Sequence, residues 1–147
     1  MKKLNNNPKI LFLCTGNSCR SQMAEAWLRE LKGNNFKCFS AGIEKHGMNP
    51  FALEVMKEIG IDMSNQYSKV LSEIDINDID VVISVCSHAD QTCPIFPGNA
   101  KKIFRGFEDP PKLAKGLTDK QDILDCYRKV RDQIKQFVLD FEENILL

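Results

Sequence analysis

The sequence predicts a three-layer α/β/α sandwich around a small parallel sheet of about four strands, in one domain over residues 1–147. Short apolar runs alternate with amphipathic helical patterns, the connections are short, and no internal repeat appears. The strongest runs, Ile10–Leu13 and Val81–Val85, are unbroken rather than alternating, as strands covered on both faces require.

Each element has its own signal. After Ile10-Leu11-Phe12-Leu13, the residues Met23, Ala24, Trp27, Leu28 and Leu31 recur at helical spacing up to Gly33, a natural stop. Phe36 to Ser40 reads as a second strand closing at Ala41-Gly42. Asn49-Pro50 supplies a cap and a first-turn proline for a helix striped by Ala52, Val55, Met56 and Ile59, which Gly60 ends. Ser64 to Asp80 carries a mixed pattern without a clear period. Val81–Val85 delivers Cys86 at its carboxyl end, and Lys101 to Phe104 is a shorter strand. Beyond Pro110-Pro111, Thr118-x-x-Gln121 has the form of a capping box. It opens a long helix with Ile123, Tyr127, Val130, Ile134, Phe137, Val138 and Phe141 on one face.

Composition excludes several function classes. The 20 Lys and Arg balance the 20 Asp and Glu, with no long block of one sign, so no nucleic-acid or anionic-membrane surface is expected. No run approaches the about 18–20 apolar residues of a membrane span, and Met1 to Pro8 reads as a polar lead-in rather than a signal peptide. The expectation is a cytoplasmic monomer. In that compartment, six cysteines point to catalysis, redox exchange or metal before structural bridging.

The segment Cys14-Thr15-Gly16-Asn17-Ser18-Cys19-Arg20-Ser21 leaves a strand and enters a helix. Such a loop can turn backbone N–H groups of Thr15 through Cys19 inward, and the helix amino terminus adds partial positive charge, so a tetrahedral oxyanion is held. Arg20 can grip two of its oxygens with a planar fork that lysine lacks. The same field is expected to lower the Cys14 thiol and make it a nucleophilic thiolate, with the Ser21 hydroxyl placed to donate to the sulfur. Gly16 and Asn17 tolerate the left-handed angles of a tight nest. Farther on, Cys86 and Cys93 enclose six residues and read as a redox switch, a strand-end structural thiol, or zinc ligands with His88. The sheet topology brings Cys14 and Cys86 to neighbouring strand ends. Cys19 is expected to pack behind the loop, and Cys38 and Cys126 to be ordinary core or surface residues.

The run Ile10 to Glu25, with Cys-Thr-Gly-Asn-Ser-Cys-Arg-Ser-Gln-Met-Ala-Glu, resembles the low-molecular-weight protein tyrosine phosphatase superfamily and, within it, the thioredoxin-coupled arsenate reductases. Ser40-Ala41-Gly42, Cys86 to Cys93 and Glu108-Asp109-Pro110 extend the resemblance over most of the chain. It implies arsenate as substrate and Cys14 as the group that attacks it. It implies further that Cys86 releases arsenite by forming a disulfide with Cys14, and that Cys93 takes over as partner of Cys86. An external dithiol, thioredoxin, reduces that last disulfide, and no bound cofactor is needed. Asp109 is implied as the general acid that protonates the departing oxygen.

Phosphate and arsenate share a shape, so the loop serves either, but only arsenate reduction needs two electrons. The extra thiols therefore favour the reductase over two alternatives, a tyrosine phosphatase and a noncatalytic thiol sensor or metal-binding protein. Two departures bear on this. Pro111-Lys112-Leu113 stands where the phosphatases carry paired tyrosines, and Lys69 stands where potassium-binding reductases, which use positions like Asn17, Glu25 and Ser40, carry an aspartate. The Lys69 ammonium is expected in place of a cation, and no metal is expected.

Overall fold

The computed structural model describes residues 7–94, 96 and 100–145, so the polar lead-in before Asn7 lies outside the described residues. Four strands form one parallel sheet: β1 (Lys9–Cys14), β2 (Lys37–Gly42), β3 (Val81–Ser84) and β4 (Lys101–Phe104), in the order β2-β1-β3-β4. The expected architecture and all four expected strands are present. The central pair β1 and β3 is buried along its length, apart from the half-buried Lys9, which explains the unbroken apolar runs.

Between the strands run α1 (Arg20–Lys32), α2 (Pro50–Lys57) and α3 (Ser87–Thr92), and after β4 come α4 (Pro110–Leu113), α5 (Lys120–Leu139) and α6 (Phe141–Ile145). Helix α1 lies along β1 and β2 and packs against α5 through its buried stripe of Met23, Ala24, Trp27 and Leu28. The Trp27 indole N–H donates to the Arg131 carbonyl at 3.1 Å, locking the two helices in register. Tyr127, Val130, Ile134, Phe137 and Val138 form the buried face of α5, as the spacing predicts. Phe141 begins a separate short helix and meets Phe12, Phe36 and Phe137 edge-on or tilted.

Several boundaries differ from expectation. The cap of α5 is Asp119, whose carboxylate accepts from the Gln121 and Asp122 amides, rather than Thr118. Asn49 caps α2 as expected, accepting from Phe51 and Ala52, but Ile59 falls beyond the helix and is exposed. Gly60, at φ +85°, supplies the left-handed turn that follows. Helices α3 and α4 are too short for a periodic signal and were not expected as elements. The mixed stretch 64–80 contains one 3-10 turn, Leu71–Glu73, and returns to the sheet through a single bridge from Val70 to Gly42.

Candidate active site

Sheet register sets the site. Leu13 pairs with Ser84 across β1 and β3, so Cys14, the last residue of β1, and Val85-Cys86, just past β3, emerge side by side. The Val85 amide continues the pairing to the Leu13 carbonyl at 2.9 Å. Cys86 is then fixed at the amino end of α3, where its sulfur accepts from the Ala89 amide at 3.4 Å. Thr15 Oγ1 lies 3.3 Å from the Cys86 sulfur.

The loop between β1 and α1 is held from outside by its carbonyls. Those of Cys14, Thr15, Gly16 and Ser18 accept from the backbone amides of Ile43, Glu44, His46 and Asn49 at 2.8–3.1 Å. Ser68 Oγ also donates to Gly16 O at 2.9 Å, and the Gln22 side-chain amide donates to Asn17 O at 3.0 Å. With the carbonyls committed outward, the Gly16 to Cys19 amides find no backbone acceptor among the described residues, leaving a row of donors for an anion.

Asn17 is the keystone of this arrangement. It adopts φ +48° and is fully buried. Its Nδ2 donates to Ser21 Oγ at 2.9 Å, while its Oδ1 accepts from Gln22 Nε2 at 2.8 Å and the Lys69 amide at 2.9 Å. Ser21 was expected to donate toward Cys14; the hydrogen bond found for it is the one from Asn17. The hydroxyl lies behind the loop, where it braces Asn17.

Arg20, the first residue of α1, turns back across the loop. Its Nη1 donates to the Phe107 carbonyl at 3.0 Å, and its Nη2 stands 3.6 Å from the Asp109 carboxylate. Its Nε is buried without a partner among the described residues, a costly state for a cationic donor and one that an oxyanion would relieve. Asp109 precedes α4, and its side chain makes no capping hydrogen bond there. These groups enclose a cavity of about 360 Å³ lined by Cys14, Thr15, Gly16, Ser18, Cys19, Arg20, His46, Asp109 and Pro111. Two larger hollows, about 630 Å³ beside Trp27 and about 490 Å³ beside Glu25, hold no comparable set of anion donors around a nucleophile.

The thiol electrostatics correct one expectation. Cys14 is only 4% exposed. Its pKa is raised, first by its hydrogen bond to Cys86 and then by burial, against the lowering effects of Arg20 and the Thr15 amide. Cys86 is pulled down to about 5, first by that same hydrogen bond, then by the Thr15 hydroxyl, the Ala89 amide and Arg20, against its own partial burial. Two interacting thiols do not readily both ionise, and the one with more donors takes the charge more easily. The Thr15 hydroxyl and the Ala89 amide both reach the Cys86 sulfur, which favours the charge on Cys86 and the shared proton on Cys14. Burial also raises Cys19 to about 12 and Cys38 to about 12, which fits packed rather than reactive thiols.

Cys93 stands apart from the cavity. It follows the last residue of α3, half-buried, with its thiol 3.5 Å from the Pro94 carbonyl. Seven residues of helical rise separate it from Cys86 by about 10 Å, beyond the about 7 Å that a disulfide spans between Cα atoms. Burial raises its thiol, with Lys102 acting in the opposite direction.

Sequence reasoning missed His46 and the Phe107 carbonyl. His46 sits over Gly16, so a Cβ at Gly16 would fall 2.3 Å from its Nδ1, and its Nε2 lies 2.7 Å from the Glu44 carboxylate. No periodic or motif signal marks either residue, since both arrive through loops pinned to the cavity. Lys69 is buried with its ammonium 3.9 Å from Glu25 and donating to the Tyr67 carbonyl at 3.0 Å. Ser40 donates to the same carboxylate at 2.6 Å. Desolvation lowers the Lys69 pKa. Among the described residues no group of three or more His, Cys, Asp or Glu is arranged to hold a metal, and no helix is long and apolar enough to cross a membrane.

A strand-end thiol inside an amide nest, with an arginine across it, defines a thiol-based oxyanion-handling protein. The family model for low molecular weight phosphotyrosine protein phosphatase matches residues 9–145, and the chain belongs to that family. Within it, the chain is 45% identical to arsenate reductase 2 of Staphylococcus saprophyticus over 135 residues, 92% of this chain and 96% of the relative. The structure superposes on an arsenate reductase in the phosphate binding state with a TM-score of 0.74, at 31% identity, covering 95% of this chain and 99% of that one. A thioredoxin-dependent arsenate reductase from Corynebacterium glutamicum gives a TM-score of 0.67 at 25% identity, covering 95% of this chain and 64% of that one.

Proposed function

We propose that this protein reduces arsenate to arsenite through Cys14, Cys86 and Cys93, with thioredoxin as the external reductant. The observation that carries the proposal is the placing of Cys14 and Cys86 at neighbouring strand ends beneath an anion nest whose Arg20 Nε has no partner among the described residues. Arsenate occupies the cavity, its oxygens taken by the loop amides and Arg20. The shared proton passes from Cys14 to Cys86, charging the nucleophile without a separate base. Cys14 then forms a sulfur–arsenic bond while Asp109 protonates the departing oxygen, which leaves as water.

Cys86 next attacks the Cys14 sulfur. The sulfur–sulfur bond forms as the sulfur–arsenic bond breaks, its electron pair stays on arsenic, and arsenite departs. Cys93 attacks Cys86, which frees Cys14 and leaves a Cys86–Cys93 disulfide. Thioredoxin supplies two electrons to reopen it. The about 10 Å between the ends of α3 means that this second exchange requires the helix to unwind.

An assay with arsenate, thioredoxin, thioredoxin reductase and NADPH is expected to consume NADPH and release arsenite one for one. Cys93→Ser should release one equivalent of arsenite and stop. Absence of NADPH consumption on adding arsenate, together with aryl phosphate hydrolysis untouched by Cys86→Ser, would instead assign a phosphatase.

A further inference from the structure

Among the described residues β4 is an edge strand, paired on one side, to β3. Its burial alternates, so Lys102 and Phe104 share the outward face while Lys101 and Ile103 turn inward. Phe104 is 53% exposed, with its ring lying over Gly106, where a Cβ would come within 2.9 Å of the ring. Lys102 Nζ donates to the Pro94 carbonyl at 2.9 Å, the same oxygen that the Cys93 thiol reaches at 3.5 Å. One carbonyl thus ties this strand face to the Cys93 thiol. Phe104 follows about 7 Å farther along the strand.

Charge adds a second observation. Among the described residues neither Lys102 nor Arg105 forms an ion pair with a carboxylate. Arg105 instead donates to the Gly106 carbonyl and stacks on the Phe107 ring, 4.3 Å from its centroid. An exposed aromatic ring between Lys102 and Arg105 in sequence, on a strand face whose lysine reaches the Cys93 segment, is a surface that a partner with an apolar patch and a carboxylate rim would complement.

We propose that Lys102, Phe104 and Arg105 form the docking surface for the protein dithiol that reduces the Cys86–Cys93 disulfide. This rests on the three-cysteine reading above. The partner's reactive thiolate opens the disulfide by forming a mixed disulfide. Its second thiol then displaces that bond, so two cysteines of this chain return to thiols and the partner leaves with its own disulfide. Phe104 contributes apolar burial beside the exchanging sulfur, and the two cations steer an acidic rim into register.

The test uses protein already oxidised at Cys86–Cys93, so it needs no arsenate. Thioredoxin with its reductase and NADPH reduces wild type and Phe104→Ala in parallel with dithiothreitol reduction of the same samples. Phe104→Ala is expected to raise the KM for thioredoxin about tenfold, the scale of losing half an aromatic ring's burial, while reduction by dithiothreitol stays unchanged. The wild-type KM should also rise with ionic strength, because exposed charges are screened. A thioredoxin KM within twofold of wild type overturns the proposal, as does an equal loss with dithiothreitol, which would place Phe104 in the stability of the disulfide segment. A KM unchanged while Phe104→Ala alters self-association in sedimentation would assign the face to a second copy of the chain. Failure of arsenate turnover with normal thioredoxin reduction would overturn the function and leave the docking surface standing.

Discussion

Gly42→Ala offers the sharpest test of how the anion loop is built. Gly42 ends β2 opposite Cys14, and its amide donates to the Lys69 carbonyl at 2.8 Å. An added Cβ would lie 2.2 Å from Glu44 O, 2.8 Å from Thr15 O and 2.9 Å from Asn17 N. All three are backbone atoms, so no side chain can swing away, and the 43–46 segment must lift off the loop. Overpacking a tight site costs about 1–3 kcal/mol. Losing one anchoring hydrogen bond, such as Glu44 N to Thr15 O, adds about 1 kcal/mol. The sum, about 2–4 kcal/mol, corresponds to a Tm lowered by about 6–12 °C for a chain of this size. Because the loop amides lose their outer support, the KM for arsenate should rise about tenfold. Gly60→Ala is the control: its φ of +85° strains alanine, but nothing lies within 4 Å of the added carbon. It should cost about 1 kcal/mol, lower the Tm by about 3 °C and leave the KM unchanged. Thermal unfolding and steady-state kinetics on both variants decide the matter. A Gly42→Ala protein that melts within 3 °C of wild type with an unchanged KM would refute the argument.

Other predictions address the charges. Arg20→Lys keeps the charge but loses the fork, and should weaken arsenate and phosphate binding about 10–100-fold in calorimetry, the worth of one charge-assisted hydrogen bond; affinity within twofold of wild type would remove Arg20 from the anion site. Thiolate absorbance at 240 nm should appear as pH rises through about 5, vanish over that range in Cys86→Ala, and shift to higher pH in Cys14→Ala, which loses the principal donor to Cys86. Survival of the low-pH step in Cys86→Ala would put the resting charge on Cys14. Glu58 is drawn down to about 2, first by Arg128 and also by Arg131, against burial. A depressed carboxylate stabilises above its unfolded value and loses that contribution as pH falls toward about 2. Glu58→Gln should therefore cost about 1–2 kcal/mol near pH 7, allowing for solvent screening of a partly exposed group, with the difference in urea midpoints closing toward pH 2. A pH-independent difference would make Glu58 a packing residue.

The elements legible in the sequence were those whose signal is repeated. Ile10–Leu13 and Val81–Val85 showed as strands because burial on both faces leaves no polar alternation, and α5 showed because its stripe persists over twenty residues. Helices α3 and α4 have six and four residues, too few to display a period. In the site, Cys14, Arg20 and the turn residues were legible because one short loop holds them and their chemistry constrains their types. The charge distribution was not. Whether Cys14 or Cys86 is the resting thiolate depends on Thr15 Oγ1 and the Ala89 amide reaching one sulfur, distances that spacing does not encode. His46 was equally hidden, since its place over Gly16 depends on the path of 43–46 around the loop.

The placement of the three thiols on elements of unequal stability gives the proposed relay its order. Cys14 and Cys86 leave the two central strands, whose buried ladder makes them the stiffest part of the sheet, so the first disulfide can form with little change in the frame. Helix α3 buries only Ala89 among its six residues, and its one cap is the Cys86 sulfur accepting the Ala89 amide. The Cys86 sulfur loses its charge when it takes the Cys14 proton and is then tied to Cys14 in a disulfide, so the steps that make the first bond weaken the cap of the helix that separates Cys93. Arsenite release therefore precedes unwinding, and unwinding precedes the second exchange. A helix stabilised independently of that cap would stall the cycle with Cys14 still oxidised. A Gln91→Ala substitution, which improves helix propensity at an exposed position of α3, should lengthen the life of the Cys14–Cys86 disulfide in quenched-flow mass spectrometry without slowing the first release of arsenite. Equal slowing of both steps would show that α3 does not separate them.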